Sequence, residues 1–167
     1  DYLLILGVDP GLATIGFSIV EKEGNRFDVL EYGVIKTSSD KTDVERLKII
    51  YRNITELIDE YKPDQMAVEE LFFNKNVKTA IIVGQARGVI LLAGAESNIP
   101  VAEYTPLQIK QAVVGYGRAD KNQVQQMVKN LLNLSEIPRP DDAADALAIA
   151  VCHGHVYSAK SRWSESL

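Results

Sequence analysis

Four carboxylates occupy positions that ordinary surface charge explains poorly. Each of them ends or interrupts an apolar stretch of the sequence: Asp9, Glu69, Asp142 and Asp145. A carboxylate beside buried surface either carries a large energetic cost or takes up a proton, and several of them at one place repel each other. A divalent cation removes both problems, and oxygen ligands favour Mg2+ or Mn2+. We therefore predict an acidic metal site.

Each carboxylate also has an ordinary explanation. Asp142 and Asp145 are three residues apart and so share a helix face, where the helix dipole favours acids in the first turn. The dipole partly explains an acid at position 142. It explains Asp145 poorly, because that residue lies beyond the first turn among alanines. Asp9 could be a turn residue, although Gly11 and Gly16 after it would let a ligand approach closely.

Glu69 has a neighbour of the same type, Glu70. Alternation along a strand directs the two side chains to opposite faces of a sheet, so that only one of them can join Asp9. Spacing alone does not choose between them.

The elements that must position these acids follow from the hydrophobic pattern. Apolar runs and alternation predict three strands joined by short turns, followed by helices that alternate with two further short strands. The predicted strands are 3–8, 14–21, 27–35, 66–68 and 101–104, and the predicted helices are 43–61, 78–96, 106–114, 121–132 and one that begins with Asp141 as its N-cap. This order predicts an α/β fold, a mixed five-stranded sheet with helices on both faces.

Length and composition limit the classes of protein to consider. The chain has 167 residues, of which 46% are hydrophobic and 25% charged, as expected for one globular domain over residues 1–157 with a flexible C-terminal tail over 158–167. Its net charge of −5 argues mildly against nucleic-acid binding, although a bound metal would offset four of the acids. We find no signal segment and no apolar run that could span a bilayer. The single cysteine, Cys152, fits a cytoplasmic location.

Four motifs, taken together, resemble one family. They are Ile5–Gly11, Ala67–Phe72, Gly84–Gly88 and Asp142–Ala148, and in this order they resemble the RuvC family of Holliday-junction resolvases over about residues 3–155. The resemblance implies a ribonuclease-H-like fold. It also implies that the catalytic, metal-binding residues are Asp9, Glu69, Asp142 and Asp145, and so it selects Glu69 over Glu70.

The resemblance implies a specific reaction. We expect an endonuclease that resolves four-way DNA junctions by paired, symmetric, metal-dependent cuts during recombination and repair. Two Mg2+ ions per subunit are expected, with Mn2+ as a substitute, because two ions can serve the attacking and the leaving oxygen of a phosphodiester. As hypotheses, Asp9 bridges both ions, Glu69 and Asp145 each complete one side, and Asp142 is a ligand or positions water.

The resemblance also implies partners. A four-way junction has near two-fold symmetry, so that two opposed cuts call for a homodimer. The apolar helix 78–96, with Gly84 and Gly88 four residues apart, is a candidate interface, although packing on the chain's own sheet would explain the same pattern. The family commonly works with a branch-migration motor, and no membrane is expected to take part.

Several residues are candidates for DNA contact: Phe72, Lys75, Lys110, Arg118 and Lys121. Lys110 and Lys121 match basic positions that bind DNA in the family, and Phe72 matches an aromatic residue that stacks on a base near the junction. Solvated surface is the alternative for the basic residues, and a core position is the alternative for Phe72.

Three other functions remain open at this point. Sugar kinases and actin-like ATPases share the ribonuclease-H-like core and an Asp-x-Gly turn like Asp9-Pro10-Gly11, but they need a second domain and a further phosphate-binding motif. A junction-binding protein without activity would not need four intact carboxylates. A related nuclease acting on another branched or hybrid nucleic acid would keep the same site.

Overall fold

A five-stranded sheet forms the centre of the computed structural model, which describes residues 2–70 and 76–164. Its strands are β1 (Tyr2–Asp9), β2 (Thr14–Glu23), β3 (Arg26–Lys36), β4 (Gln65–Glu69) and β5 (Val101–Tyr104), in the spatial order β3-β2-β1-β4-β5. The first three strands form an antiparallel meander, whereas β1, β4 and β5 run parallel. The predicted mixed sheet is confirmed.

The parallel strands carry their last residues to one edge of the sheet. Val8 pairs with Val68 in the β1–β4 ladder, so that Asp9 and Glu69 follow side by side. Glu69 in turn pairs with Tyr104 at the end of β5. Ligand sites in open α/β sheets commonly lie beyond such carboxyl ends.

Five helices cover the two faces of the sheet, as predicted. They are α1 (Asp43–Tyr61), α2 (Val77–Glu96), α3 (Pro106–Val114), α4 (Lys121–Leu131) and α5 (Asp141–Ser164). Helices α1 and α2 pack on one face, where Ile50, Ile54 and Ile90 are fully buried. Helices α3, α4 and α5 cover the other face. Capping boxes at Thr42, Thr105 and Asp120 begin α1, α3 and α4.

Two helix predictions need correction. Asp141 is not the N-cap of α5, because the Pro140 carbonyl accepts the first helical hydrogen bond, from the Ala144 N–H at 3.2 Å, and Asp141 is the first helical residue. In addition, α2 is long and apolar enough, by length and composition, to cross a membrane, contrary to our expectation from the sequence. Core helices of soluble proteins meet the same criterion, and Ala86, Ile90 and Ala93 of α2 lie in the core.

Helix α5 continues past Tyr157 to Ser164. The division into a domain over residues 1–157 and a flexible tail over 158–167 stays a prediction.

Candidate active site

Three of the four predicted carboxylates meet at the carboxyl end of β1. One oxygen from each of Asp9, Asp142 and Asp145 lies within 4.8 Å of the other two, and all three residues are half-buried. Asp9 is the last residue of β1, while the two others lie in the first turns of α5. Residues that are far apart in sequence therefore form one cluster.

Two glycines explain why α5 can lie so close to the sheet. Gly16 faces Asp9 across the β1–β2 ladder, and a Cβ atom on Gly16 would lie 1.9 Å from the Asp142 carbonyl oxygen. Likewise, a Cβ atom on Gly7 would lie 2.4 Å from the Ala146 carbonyl oxygen. The Ser18 hydroxyl donates a hydrogen bond of 2.8 Å to that same carbonyl. Our expectation that Gly16 makes room for a ligand was therefore wrong, since it makes room for the backbone of α5.

Glu69 lies beside Asp9 at the end of β4, close enough for its charge to raise the pKa of Asp9. Glu69 is not one of the three residues clustered within 4.8 Å, but it borders cavities on both sides. The larger cavity, of about 260 Å³, is also lined by Lys110, Lys121 and Asp145. Glu70 borders only the smaller cavity, of about 210 Å³, and its backbone N–H donates to the Tyr104 carbonyl at 2.8 Å.

The electrostatics of the cluster favour a cation. The pKa of Asp9 is raised well above its ordinary value, first by burial and then by the charges of Asp145 and Glu69. Burial likewise raises the pKa of Glu69 and of Asp145. These acids are therefore costly to ionise together without a positive charge.

The donor set itself fits a hard divalent cation. All the clustered donors are carboxylate oxygens, and no thiol or imidazole joins the group within residues 2–70 and 76–164. Magnesium and manganese prefer such oxygen ligands, whereas zinc sites usually include nitrogen or sulfur.

Two lysines border the acidic cluster. Lys121 Nζ, at the start of α4, lies 3.1 Å from Asp141 Oδ2 and 3.8 Å from Asp145 Oδ2. Burial lowers the pKa of Lys121, but the hydrogen bond to Asp141 and the charge of Asp145 outweigh it, so that the pKa is raised. Lys110, on α3, lines the larger cavity, and its charge offsets part of the rise that burial causes in the pKa of Glu69. Both lysines are therefore placed to meet an anion at the site.

The other residues predicted to contact DNA do not line the cavity beside the acidic cluster or lie outside the described residues. Arg118 is exposed on the loop between α3 and α4, three residues before Lys121. Phe72 and Lys75 lie outside the described residues. The ion pair of Asp141 with Lys121 was not predicted from the sequence. The sequence shows only an acid at the start of a helix, which does not indicate a partner on another helix.

Most of the chain is similar to one family of known proteins. The family model described as Crossover junction endodeoxyribonuclease RuvC matches residues 5–153. The protein of that name from Halothermothrix orenii is 63% identical over 161 residues, which cover 96% of this chain and 98% of the relative. The protein of that name from Alkaliphilus oremlandii is 62% identical over 153 residues, covering 92% and 93%.

Solved structures agree with the sequence relatives. Thermus thermophilus RuvC superposes with a TM-score of 0.89 at 38% identity, covering 95% of this chain and 97% of that chain. T. thermophilus RuvC in complex with a Holliday junction substrate gives the same TM-score and identity, covering 93% and 94%. The yeast mitochondrial Holliday junction resolvase Ydc2, at 11% identity and a TM-score of 0.68, shares the fold. From the family model and these relatives together, the chain belongs to the crossover junction endodeoxyribonuclease RuvC family.

Proposed function

We propose that this chain is a structure-selective endonuclease that resolves four-way DNA junctions by metal-dependent hydrolysis during recombination and repair. The observation that carries the proposal is the convergence of Asp9, Asp142 and Asp145 within 4.8 Å, with Glu69 beside them. Family membership supports the same activity, as does the complex of T. thermophilus RuvC with a Holliday junction substrate.

Asp9, Glu69, Asp142 and Asp145 are the residues that would hold the metal, which we propose to be two Mg2+ ions per subunit. Bound there, a pair of divalent cations would activate water and stabilise the charge on the leaving oxygen. Asp9 is the residue best placed to serve both halves of the site, because it lies beside Glu69 on the neighbouring strand β4 and beside the two acids of α5.

The remaining residues bind and orient the substrate in this proposal. Lys110 and Lys121 border the cavity between Glu69 and Asp145, where their ammonium groups would neutralise a phosphate. Arg118, exposed nearby, would contact the adjoining backbone of the DNA. Phe72 and Lys75 are proposed as further DNA contacts on the strength of the sequence alone.

We also propose that two copies act together, because two opposed cuts need two sites. Helix α2 is the surface we assign to the dimer: it is apolar, yet it exposes Val77, Ile81 and Leu92 by 64%, 58% and 51%. A Cβ atom on Gly88 of this helix would meet nothing within 4 Å, which leaves space for another helix. Cytoplasmic location and a branch-migration motor as partner are part of the same proposal.

The first experiment is cleavage of a synthetic four-way junction in Mg2+ and in EDTA. The wild type should make symmetric nicks only in Mg2+, and Asp9→Asn should lose them while still binding the junction. Because Asp9→Asn removes one of several repelling buried acids, we expect the metal-free variant to be at least as stable as the wild type. An Asp9→Asn protein that still cuts would refute the site assignment. Cutting of an RNA–DNA hybrid in preference to the junction would instead favour the alternative nuclease.

A matched pair of variants tests the choice between neighbouring acids. Glu69→Gln should abolish cleavage, because Glu69 lies beside Asp9 and borders both cavities. Glu70→Gln changes the same group one residue away and should cleave like the wild type. The reverse result would assign the role to Glu70.

A further inference from the structure

Arg87 of α2 lies against the end of β4 that carries Glu69. Its Nε donates a hydrogen bond of 3.3 Å to the backbone carbonyl of Glu69, and its Nη2 lies 2.5 Å from Glu103 Oε1. The Arg87 side chain is only 17% exposed, although it borders the smaller cavity together with Asp9 and Glu69. An arginine at a nuclease site would ordinarily be assigned to DNA phosphate.

The contacts of Arg87 favour a different role. Its guanidinium group already engages two acceptors of the protein, one on β4 and one on β5, and most of its surface is covered. The planar guanidinium group can hold two acceptors in a fixed relation, which a lysine ammonium cannot do in the same way. Arg87 therefore connects α2, β4 and β5 at one point.

This connection lies at the end of the strand pairing around β4. Pairing of β1 with β4 extends to Val8 and Val68, one residue before Asp9 and Glu69. On the other side of β4, the last contact is the hydrogen bond of 2.8 Å from the Glu70 N–H to the Tyr104 carbonyl. The Glu69 carbonyl belongs to the same peptide group as the Glu70 N–H, so that Arg87 and Tyr104 hold this peptide from two sides, next to the residue that carries the carboxylate.

We propose that Arg87, oriented by Glu103, is a positioning residue that holds Glu69 in the geometry required for cleavage. It acts through the backbone of Glu69 and does not bind the substrate. The inference rests on the proposed nuclease function and deepens it. Groups that orient metal-binding residues commonly account for about 10–100-fold in activity or metal affinity.

The test compares Arg87→Gln, Arg87→Lys, Glu103→Gln and the Arg87→Gln/Glu103→Gln double variant by junction cleavage and by junction binding in EDTA. Arg87→Gln should lower kcat by about 10–100-fold, with the junction Kd and its salt dependence unchanged. Arg87→Lys should fall between the wild type and Arg87→Gln. Glu103→Gln should give a smaller loss, and the double variant should be no slower than Arg87→Gln, because Glu103 acts only through Arg87.

A second readout does not depend on cleavage. Hydrogen exchange of the Glu70 amide, measured without metal, should be faster in Arg87→Gln, because the end of β4 is held less firmly. Arg46→Gln is the matched control: Arg46 also binds next to a strand end, donating from Nε to Thr37 Oγ1 at 2.9 Å, but it lies on α1 and its hydrogen bonds go to Thr37 and not to the residues of the acidic site. It should alter stability without altering kcat or the exchange at Glu70.

Three outcomes would overturn the inference. A weaker junction Kd with a smaller salt slope in Arg87→Gln would make Arg87 a phosphate contact. A wild-type kcat in Arg87→Gln would show that Arg87 has no role in cleavage. Full activity in Arg87→Lys would show that a positive charge is sufficient and that the two fixed hydrogen bonds are not needed. If the wild type itself failed to cut any junction, the proposed function would have failed. Faster Glu70 exchange in Arg87→Gln would then still support the positioning contact.

Discussion

Gly16→Ala is the substitution that most directly tests how the site is held together. The added Cβ atom would lie 1.9 Å from the Asp142 carbonyl oxygen and 2.4 Å from its carbonyl carbon. Contacts of side-chain Cβ atoms below 3.0 Å essentially do not occur, so the start of α5 must move from β2 by at least about 1 Å. That movement separates Asp142 and Asp145 from Asp9, which stays on β1.

The expected magnitudes follow from this displacement. A misplacement of about 1 Å in a catalytic group can cost about 100-fold in rate. Overpacking of the core should also lower the free energy of unfolding by about 1–3 kcal/mol. We therefore expect Gly16→Ala to fold, to bind the junction in EDTA like the wild type, and to cleave about 100-fold more slowly at saturating enzyme.

The assay is single-turnover cleavage of a four-way junction, with thermal unfolding of the same samples. Ile54→Val is the control, because Ile54 is fully buried on the opposite face of the sheet and its shortening should cost about 1 kcal/mol without moving α5. If Ile54→Val is destabilised as much as Gly16→Ala but cleaves normally, the slower cleavage of Gly16→Ala is due to the displacement of α5 and not to lower stability. Wild-type cleavage by a folded Gly16→Ala protein would refute the reasoning.

The other predictions concern pH, DNA and the dimer. Burial, with a smaller effect of Lys160, lowers the pKa of His153 from 6.5 to about 4, so that the unfolded chain takes up the proton first as the pH falls. The stability advantage of the wild type over His153→Gln, measured by urea unfolding, should therefore be complete above pH 6.5 and fall by about 3 kcal/mol towards pH 4. Lys121→Ala should weaken junction binding and reduce the salt slope by about one, as measured by titration at several salt concentrations. If the chain forms the proposed dimer, Ile81→Glu should convert it into monomers in analytical ultracentrifugation, because the substitution places a charge on the apolar surface of α2.

Each of these has a control and a contrary outcome. A constant difference between the wild type and His153→Gln across this pH range would mean that His153 titrates normally in the folded protein. Lys129→Ala, on the same helix as Lys121, should leave the salt slope unchanged, and an unchanged slope in Lys121→Ala would exclude a phosphate contact. Val44→Glu, at a position 77% exposed on α1, should keep the dimer. A dimeric Ile81→Glu protein would place the interface elsewhere.

The sequence predicted most of the secondary structure because the signals for it are local. Helices α1 and α3 begin and end where the apolar spacing predicted, at residues 43–61 and 106–114. These signals depend on residues within one or two turns of each other, which the sequence displays directly. The same locality explains the error at Asp141, since an acid before a helix is equally consistent with a cap and with the first helical residue.

The chemistry of the candidate site was also visible in residue types. Carboxylates next to apolar stretches indicate a hard-metal site, and the resemblance to the RuvC family implies the same four acids. Their assignment as catalytic residues stays a prediction until the variants are measured, as do the contacts of Phe72 and Lys75 with DNA.

Only the tertiary structure decided which groups meet. The approach of α5 to β1 and β2 depends on the absence of side chains at Gly7 and Gly16. The contact of Arg87 with the Glu69 carbonyl depends on how α2 packs beside β4 and β5. Such distances are set by the order of strands and by the volumes of side chains that are remote in sequence. By itself, the sequence therefore determined the elements and the kinds of ligand atoms, whereas close packing of distant segments determined the geometry in which those atoms can act.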